Sequence, residues 1–294
     1  MTNGPRFGAH MSIAGGPANA LYRGASIACD AIQMFVDSPN RWRTKAFTAE
    51  DLDAFAQAVA LTGIAPVVTH SAYLINLGSP DDDLFNRSVD LLVDELGRCV
   101  QLGLHDHVLH PGAHMGSGEE AGLERIAAGL RLALARTAGA DVRILLETTA
   151  GMGSHLGYRL EHLAWLIDHV DGDARLGVCV DTAHAFAAGY DLRTPETYAA
   201  FWRSFDGSIG LSRLHCLHLN DSLKGLGSHV DRHTWIGQGE LGQGAFALLV
   251  NDAALRHVPM LLETPKGEDM REDVEGLALL RSLVRSPDLC DSLD

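Results

Sequence analysis

The sequence predicts an α/β fold of the (β/α)8 TIM-barrel class, and three observations predict it. Short β-branched runs alternate with longer amphipathic stretches in eight β-then-α units. No linker or low-complexity segment interrupts that rhythm, and 294 residues fall within the range of a one-domain α/β barrel. The strand ends are polar on the side where barrels of this kind carry their sites. A single domain spanning 1–294 is therefore expected, with a metal site at the C-terminal ends of the strands.

Taken in order, "RFGAH" is the first strand, and "HMSIAGGPANA" reads as a loop and helix start. An open doubly wound sheet would carry a GxGxxG phosphate turn there, which this segment does not fit. "DAIQMF" follows, then the helical "AEDLDAFAQAVALTG", closed by Gly63. "APVVTH" ends at His70 and precedes "DDLFNRSVDLLVDELGRCVQLG", closed by Gly103. "DHVLH" ends at His110, and "GLERIAAGLRLALARTAG" is closed by Gly139. "VRILLET" carries Glu147 and leads to "RLEHLAWLIDHV". "LGVCVDT" supplies Asp181 and, just beyond, His184; "TPETYAAFWRSF" then opens with the threonine cap, proline and early glutamate of a helix start. "LHCLHLND" ends with His218, and its loop contains "VDRH", hence Asp231 and His233. After "GAFALLVNDAAL", strand "PMLLET" ends at Glu263 and "REDVEGLALLRSLV" closes the series.

Composition sets the broad class. Hydrophobic residues at 46% and charged residues at 21% describe a globular chain with a large core. No apolar run approaches the ~18 residues that span a membrane. The N-terminal "MTNGPRFGAHMS" has no charged-then-apolar leader pattern, so a cytoplasmic location is expected. Cysteines 29, 99, 179, 216 and 290 form no CxxC and fit reduced thiols. Cys179 and Cys216 share strand parity with Asp181 and His218, which makes them small apolar filler of a barrel interior. A net charge of −15 excludes a protein that grips nucleic acid by bulk positive charge.

Taken alone, Asp181 and His184 would be a helix N-cap and an ordinary structural histidine. In a barrel, however, His70, His110, Glu147, Asp181, His184, His218, Asp231, His233 and Glu263 converge on one face. Five imidazoles and four carboxylates there would strain one another by like charge unless cations intervene. Imidazole with carboxylate suits Zn²⁺ best, with Mn²⁺ or Fe²⁺ also compatible. At about three protein groups per ion, the set fits three metals. Among the other histidines, His162, His169 and His257 are expected in solvent. His105 and His107 precede the fourth strand, while His10, His114, His155 and His229 lie near the active face as outer groups.

Several motifs carry a resemblance. "HSAYLINLGSP", "HPGAHMGSG", "ETTAGMGSHLGYRLEHLA", "GVCVDTAHAFAAGYD", "LHLNDSLKGLGSHVDRHTWIGQGELG" and "LLETP" closely resemble the motifs of the endonuclease IV family of apurinic/apyrimidinic endonucleases. The likeness runs from "GAHMSIAGG" to beyond Glu263. It implies a (β/α)8 barrel with three zinc ions per chain, Mn²⁺ being an alternative at one site. It also implies hydrolysis of the phosphodiester 5′ to abasic sites in duplex DNA, leaving a 3′-hydroxyl. Carried over residue by residue, one zinc takes His70, His110 and Glu147. A second shares Glu147 and takes Asp181, His218 and Glu263; the third takes His184, Asp231 and His233. Glu263 and Glu147 are the implied catalytic groups, with Glu263 orienting the attacking hydroxide.

The resemblance further implies loop residues inserted into DNA, a substrate carrying abasic sites or blocked 3′ ends, no membrane partner and a monomeric state. Tyr73 and Leu74 match one such loop. The other reads "FVDSPNRWRTK" and departs from the family: Asn40 stands where an arginine is common and Arg41 comes one place later. Arg41, Arg43 and Lys45 keep that loop basic, and Lys266 is either a phosphate contact or a solvated lysine. The rival reading is a sugar isomerase or epimerase of the related metal-dependent barrel group. It would use one or two metals and leave His70, His184 and the "VDRH" pair with little to do.

Overall fold

Eight parallel strands close on themselves in the computed structural model, which describes residues 4–42 and 45–285. Arg43 and Cys290, named above, lie outside the described residues. The strands are β1 (Arg6–His10), β2 (Ala31–Phe35), β3 (Val67–His70), β4 (Asp106–Leu109), β5 (Arg143–Glu147), β6 (Leu176–Asp181), β7 (Leu214–His218) and β8 (Pro259–Leu262). Each pairs with its neighbour in sequence, and β8 pairs with β1 to complete the barrel. Around them lie α1 (Ala18–Ser26), α2 (Ala49–Thr62), α3 (Asp82–Leu102), α4 (Glu119–Arg136), α5 (Leu160–Asp168), α6 (Thr182–Ala188), α7 (Pro195–Ser208), α8 (Gly242–Asn251) and α9 (Arg271–Leu283). Among the described residues, no helix is long and apolar enough to cross a membrane.

Local chemistry explains most boundaries. Thr48 and Asp51 form a reciprocal capping box at α2, and Gly63 ends that helix at φ 66°. Asp81 caps α3, and Gly103 ends it at φ 67°. The box at α7 closes between Thr194 and Thr197, so the early Glu196 is not its partner. Helix α4 stops at Arg136, before Gly139, which takes φ 83° in the turn beyond.

The interior has two layers. Phe55, Phe186, Phe205 and Phe246 belong to the large core between sheet and helices. A separate cluster fills the barrel itself: Ala31, Val68, Val108, Leu145, Cys179, Cys216 and Leu261, all fully buried. Cys179 and Cys216 thus lie among its apolar side chains, as expected. On β1 the corresponding position is Gly8, where an added Cβ would lie 1.7 Å from Ala31 O. Two antiparallel ribbons decorate the C-terminal face, Gly112–Ala113 with His155–Leu156 and Asp221–Ser222 with His233–Thr234.

Candidate metal centre

Alternation along a strand places residues i and i+2 on the same face. Two residues beyond the interior positions 8, 31, 68, 108, 145, 179, 216 and 261 come His10, Gln33, His70, His110, Glu147, Asp181, His218 and Glu263. A polar ring therefore sits directly on the apolar one. Helix α6 adds His184 from the end of β6. The ribbon pairing Ser222 with His233 folds the loop after β7 back over the barrel, adding Asp231 and His233. The nine residues singled out above meet at one place. A cavity of about 260 Å³ opens over them, lined by His70, His110, His184, Asp231, His233 and Glu263 together with His10, Phe35, Tyr73 and Lys266.

Glu147 occupies the centre. Its Oε2 lies 3.2 Å from His70 Nε2 and 3.0 Å from His110 Nε2. Its Oε1 lies 3.1 Å from His218 Nδ1 and 3.2 Å from His184 Nδ1. Burial alone would raise this carboxyl, but the charges of His110 and His218 and hydrogen bonds from His110 and His184 hold it well below the usual range. Glu263 behaves likewise: burial opposes ionisation, and His218 and His10 outweigh it. Asp231 is brought down to about 2, with His184 and His233 overcoming the cost of burial. Burial also works against charge on His184, yet Asp181, Asp231 and Glu147 hold that imidazole well above its ordinary value.

The ring nitrogens that donate to backbone and amide oxygens settle the opposite ones. His70 Nδ1 donates to Ser71 O at 2.8 Å, His184 Nδ1 to Thr148 O at 2.9 Å, and His233 Nδ1 to Glu263 O at 3.4 Å. His218 Nε2 donates to Gln33 Oε1 at 2.8 Å. In each neutral ring the opposite nitrogen then presents a lone pair. Those lone pairs face carboxylate oxygens, and His184 Nε2 and His233 Nε2 face each other at 3.2 Å. Only added protons or cations relieve such contacts. Protonating every ring would place imidazolium ions with centroids 5.3 Å (His70–His110), 5.7 Å (His110–His184) and 5.0 Å (His184–His233) apart. A metal ion accepts an imidazole lone pair and a carboxylate oxygen at once, turning each such contact into a shared bond, so the donor set fits metal ions.

Three groups at the centre have ligand atoms close enough to share a cation: His70–His110–Glu147, Glu147–Asp181–His218–Glu263 and Asp181–His184–His233. Asp231 joins the last, 3.2 Å from His184 Nε2 and 3.4 Å from His233 Nε2. Asp181 serves two purposes. Its Oδ1 caps α6 by accepting from His184 N at 2.8 Å, and its Oδ2 faces His233 Nε2 at 3.7 Å. The N-cap and the candidate ligand are one residue.

Sequence reasoning missed the supports. Gln33 Nε2 donates to Glu263 Oε1 at 2.5 Å and to His10 Nδ1 at 2.9 Å. Asn220 Nδ2 donates to Asp181 Oδ2 at 2.6 Å, and its Oδ1 accepts from Glu263 N at 2.9 Å. Asp221, fully buried, accepts from the backbone of Gly237, Gly239, Leu241 and Gly242, pinning the loop after His233. A Cβ at Gly239 would lie 2.4 Å from Ser222 O, which is why the loop needs glycine there. Strand parity could have found Gln33; nothing comparable marks Asp221.

Other expectations need correcting. His162 is buried, its Nδ1 accepting from Gly157 N, because it faces inward from α5. His107 lies within β4 rather than before it and is fully buried against α3. Lys266 is no solvated lysine: its Nζ donates to Asp273 Oδ2 at 2.6 Å and His10 O at 2.7 Å. His10 Nε2 is buried with no hydrogen-bond partner among the described residues. Tyr73 is 67% exposed at the cavity rim, and Leu74 beside it is half-buried. Asn40 and Arg41 are exposed in the loop after β2 and are not part of the cavity lining.

A family profile described as "Xylose isomerase-like TIM barrel" matches residues 21–283. A protein of Chloroflexus aggregans named "Probable endonuclease 4" is 55% identical over 281 residues, covering 96% of this chain and 98% of that protein. The crystal structure of endonuclease IV from Thermus thermophilus superposes with a TM-score of 0.83 at 38% identity, covering 95% of this chain and 98% of that one. A 3-keto-D-glucoside 4-epimerase from E. coli shares the fold alone, at a TM-score of 0.67 and 15% identity over 95% and 99% of the two chains.

Proposed function

The chain belongs to the endonuclease IV family, whose members are nucleases, and on that premise we propose that it hydrolyses the phosphodiester 5′ to abasic sites in duplex DNA. The products would be a 3′-hydroxyl and a 5′-deoxyribose phosphate. The observation that carries this reading is Glu147, whose two oxygens face the inward lone pairs of His70 and His218. Three zinc ions would divide the nine donors as His70, His110 and Glu147; Glu147, Asp181, His218 and Glu263; and His184, Asp231 and His233. When bound, such ions lower the pKa of an attacking water and stabilise charge on phosphate oxygens.

The protein's own groups do the rest. Glu147 and Asp181 are fully buried and hold geometry, whereas Glu263 lines the cavity and can orient the attacking water at phosphorus. The His10 Nε2 proton has no acceptor among the described residues and can donate to a phosphate oxygen. Lys266, fixed by buried Asp273, keeps a positive charge at the cavity wall. Tyr73 and Leu74 would enter the duplex where a base is missing, since extrusion costs least there. Asn40 and Arg41 would follow the backbone from the neighbouring loop. The barrel would act as a single domain and a monomer inside the cell.

Elemental analysis paired with nicking of an abasic oligonucleotide tests the reading. About three metal ions per chain, mostly zinc, and a single nick 5′ to the lesion are expected. One or two ions with sugar-isomerising activity would replace it with the epimerase reading. Activity should survive brief EDTA treatment without added Mg²⁺, because buried multi-ligand sites release metal slowly.

A further inference from the structure

Beneath the polar ring, two thiols lie side by side. Cys179 on β6 and Cys216 on β7 are register partners, and both are completely buried. His218, two residues further along β7, is also completely buried. The two sulfurs and one ring nitrogen of His218 all lie within 4.8 Å of one another. A cation bonded to two sulfurs and an imidazole keeps those atoms about 3.5–4 Å apart, so modest side-chain shifts would close the shell. The proposed reaction gives neither cysteine a part.

We propose that Cys179, Cys216 and His218 form a further metal site, one side-chain layer below the centre, that takes a thiophilic divalent cation such as Cd²⁺. Sulfur favours soft ions, while the imidazole and carboxylate donors above suit zinc. Binding releases one proton from each thiol, and two thiolates then cancel a divalent charge. The complex is neutral, as its walls of Ala31, Val68, Val108, Leu145 and Leu261 require, whereas a monovalent ion would leave a net charge there. The cavity lies on the far side of the polar ring, so a cation enters, and the two protons leave, only as those side chains part. His218 belongs to both groups, so a cation bound below competes with the centre for that ring. This competition rests on the proposed zinc centre, but the thiolate site does not.

Zinc-loaded protein titrated with Cd²⁺ tests the proposal through two signals: the ultraviolet thiolate-to-cadmium charge-transfer band and zinc captured by a chromogenic chelator. The wild type should develop the band, saturating at one Cd²⁺ per chain, and release zinc as it grows. Cys216→Ser and Cys216→Ala should both lose the band while keeping the native far-ultraviolet dichroism. Alanine is included because a serine hydroxyl would lack a partner in the apolar ring. Cys29→Ala, remote from the cluster, should keep it. No band in the folded wild type overturns the site, as does a band retained by Cys216→Ala. Zinc release without a band would place cadmium among the upper donors and overturn it equally. Should the unexposed protein fail to nick abasic DNA, the proposed function falls and the optical result still stands.

Discussion

Gln33 joins three groups far apart in the chain: Glu263, His10 and His218. Its orientation is fixed, because only the amide nitrogen can face the Glu263 carboxylate, and the oxygen must then accept from His218 Nε2. Gln33→Ala would free His218 to take either tautomer, so its inward lone pair would be present only part of the time. We expect zinc affinity to fall by about 10–100-fold in competition with a chelator, as for other groups that orient metal ligands. Unchanged affinity would show that packing alone holds the ring. On the proposed mechanism, Glu263→Gln keeps the shape but removes a negative charge beside the attacking water, so incision should fall on the order of a hundred- to a thousandfold with abasic-DNA binding retained. Near-normal turnover would take Glu263 out of the mechanism. The candidate ligands were legible because acids and imidazoles ending apolar strands are chemically conspicuous. Gln33 is uncharged and stood out only once the ring below it was visible.

Among the elements, the barrel strands and most helices could be read from period and caps, whereas α6 could not. Six of its seven residues are buried, so it has no polar face to mark a helical repeat. The contact between α3 and β4 was equally hidden. His107 Nδ1 lies 2.9 Å from Thr69 Oγ1 and 3.8 Å from Cys99 Sγ, and its Nε2 is 3.2 Å from Glu95 Oε2. The other Glu95 oxygen accepts from Ala72 N at 3.0 Å, anchoring the loop that carries Tyr73. Burial pushes this imidazole down, but Cys99 and Glu95 outweigh it and lift the pKa to about 10. In the unfolded chain it returns to about 6.5. A raised folded value adds stability that is complete below about 6.5 and fades as pH climbs toward about 10. Glu95→Gln leaves a buried cation without its partner and should cost about 3–5 kcal/mol near neutral pH. Denaturation of both proteins across that range should show the difference narrowing as pH rises. A gap that stays constant would mean His107 is neutral throughout.

At the scale of the whole molecule, the barrel does not by itself choose a reaction, since a sugar epimerase shares it. Three of the nine candidate ligands come from outside the strands: α6 brings His184, and the folded-back loop brings Asp231 and His233 to the ring. Charge limits how such a molecule can hold DNA. A net charge of −15 repels the duplex, even with some acids neutralised by metal. On the proposed function, affinity would therefore come from a few phosphate contacts, with Arg41 and Lys266 as candidates, and from side chains wedged into the lesion. The slope of log K against log salt grows by about 0.9 per phosphate neutralised, so it should be shallow here. Tyr73→Ala combined with Leu74→Ala should weaken binding to abasic duplex, leave intact duplex unaffected and keep the salt slope. Arg41→Ala should weaken both duplexes and flatten the slope if it touches phosphate, but act only on the lesion if it fills the gap. Measuring each variant on both duplexes at two salt concentrations separates these outcomes. If the Tyr73 and Leu74 variant binds abasic DNA as tightly as the wild type, the exposed Tyr73 ring is not a wedge, and lesion selection must come from the cavity.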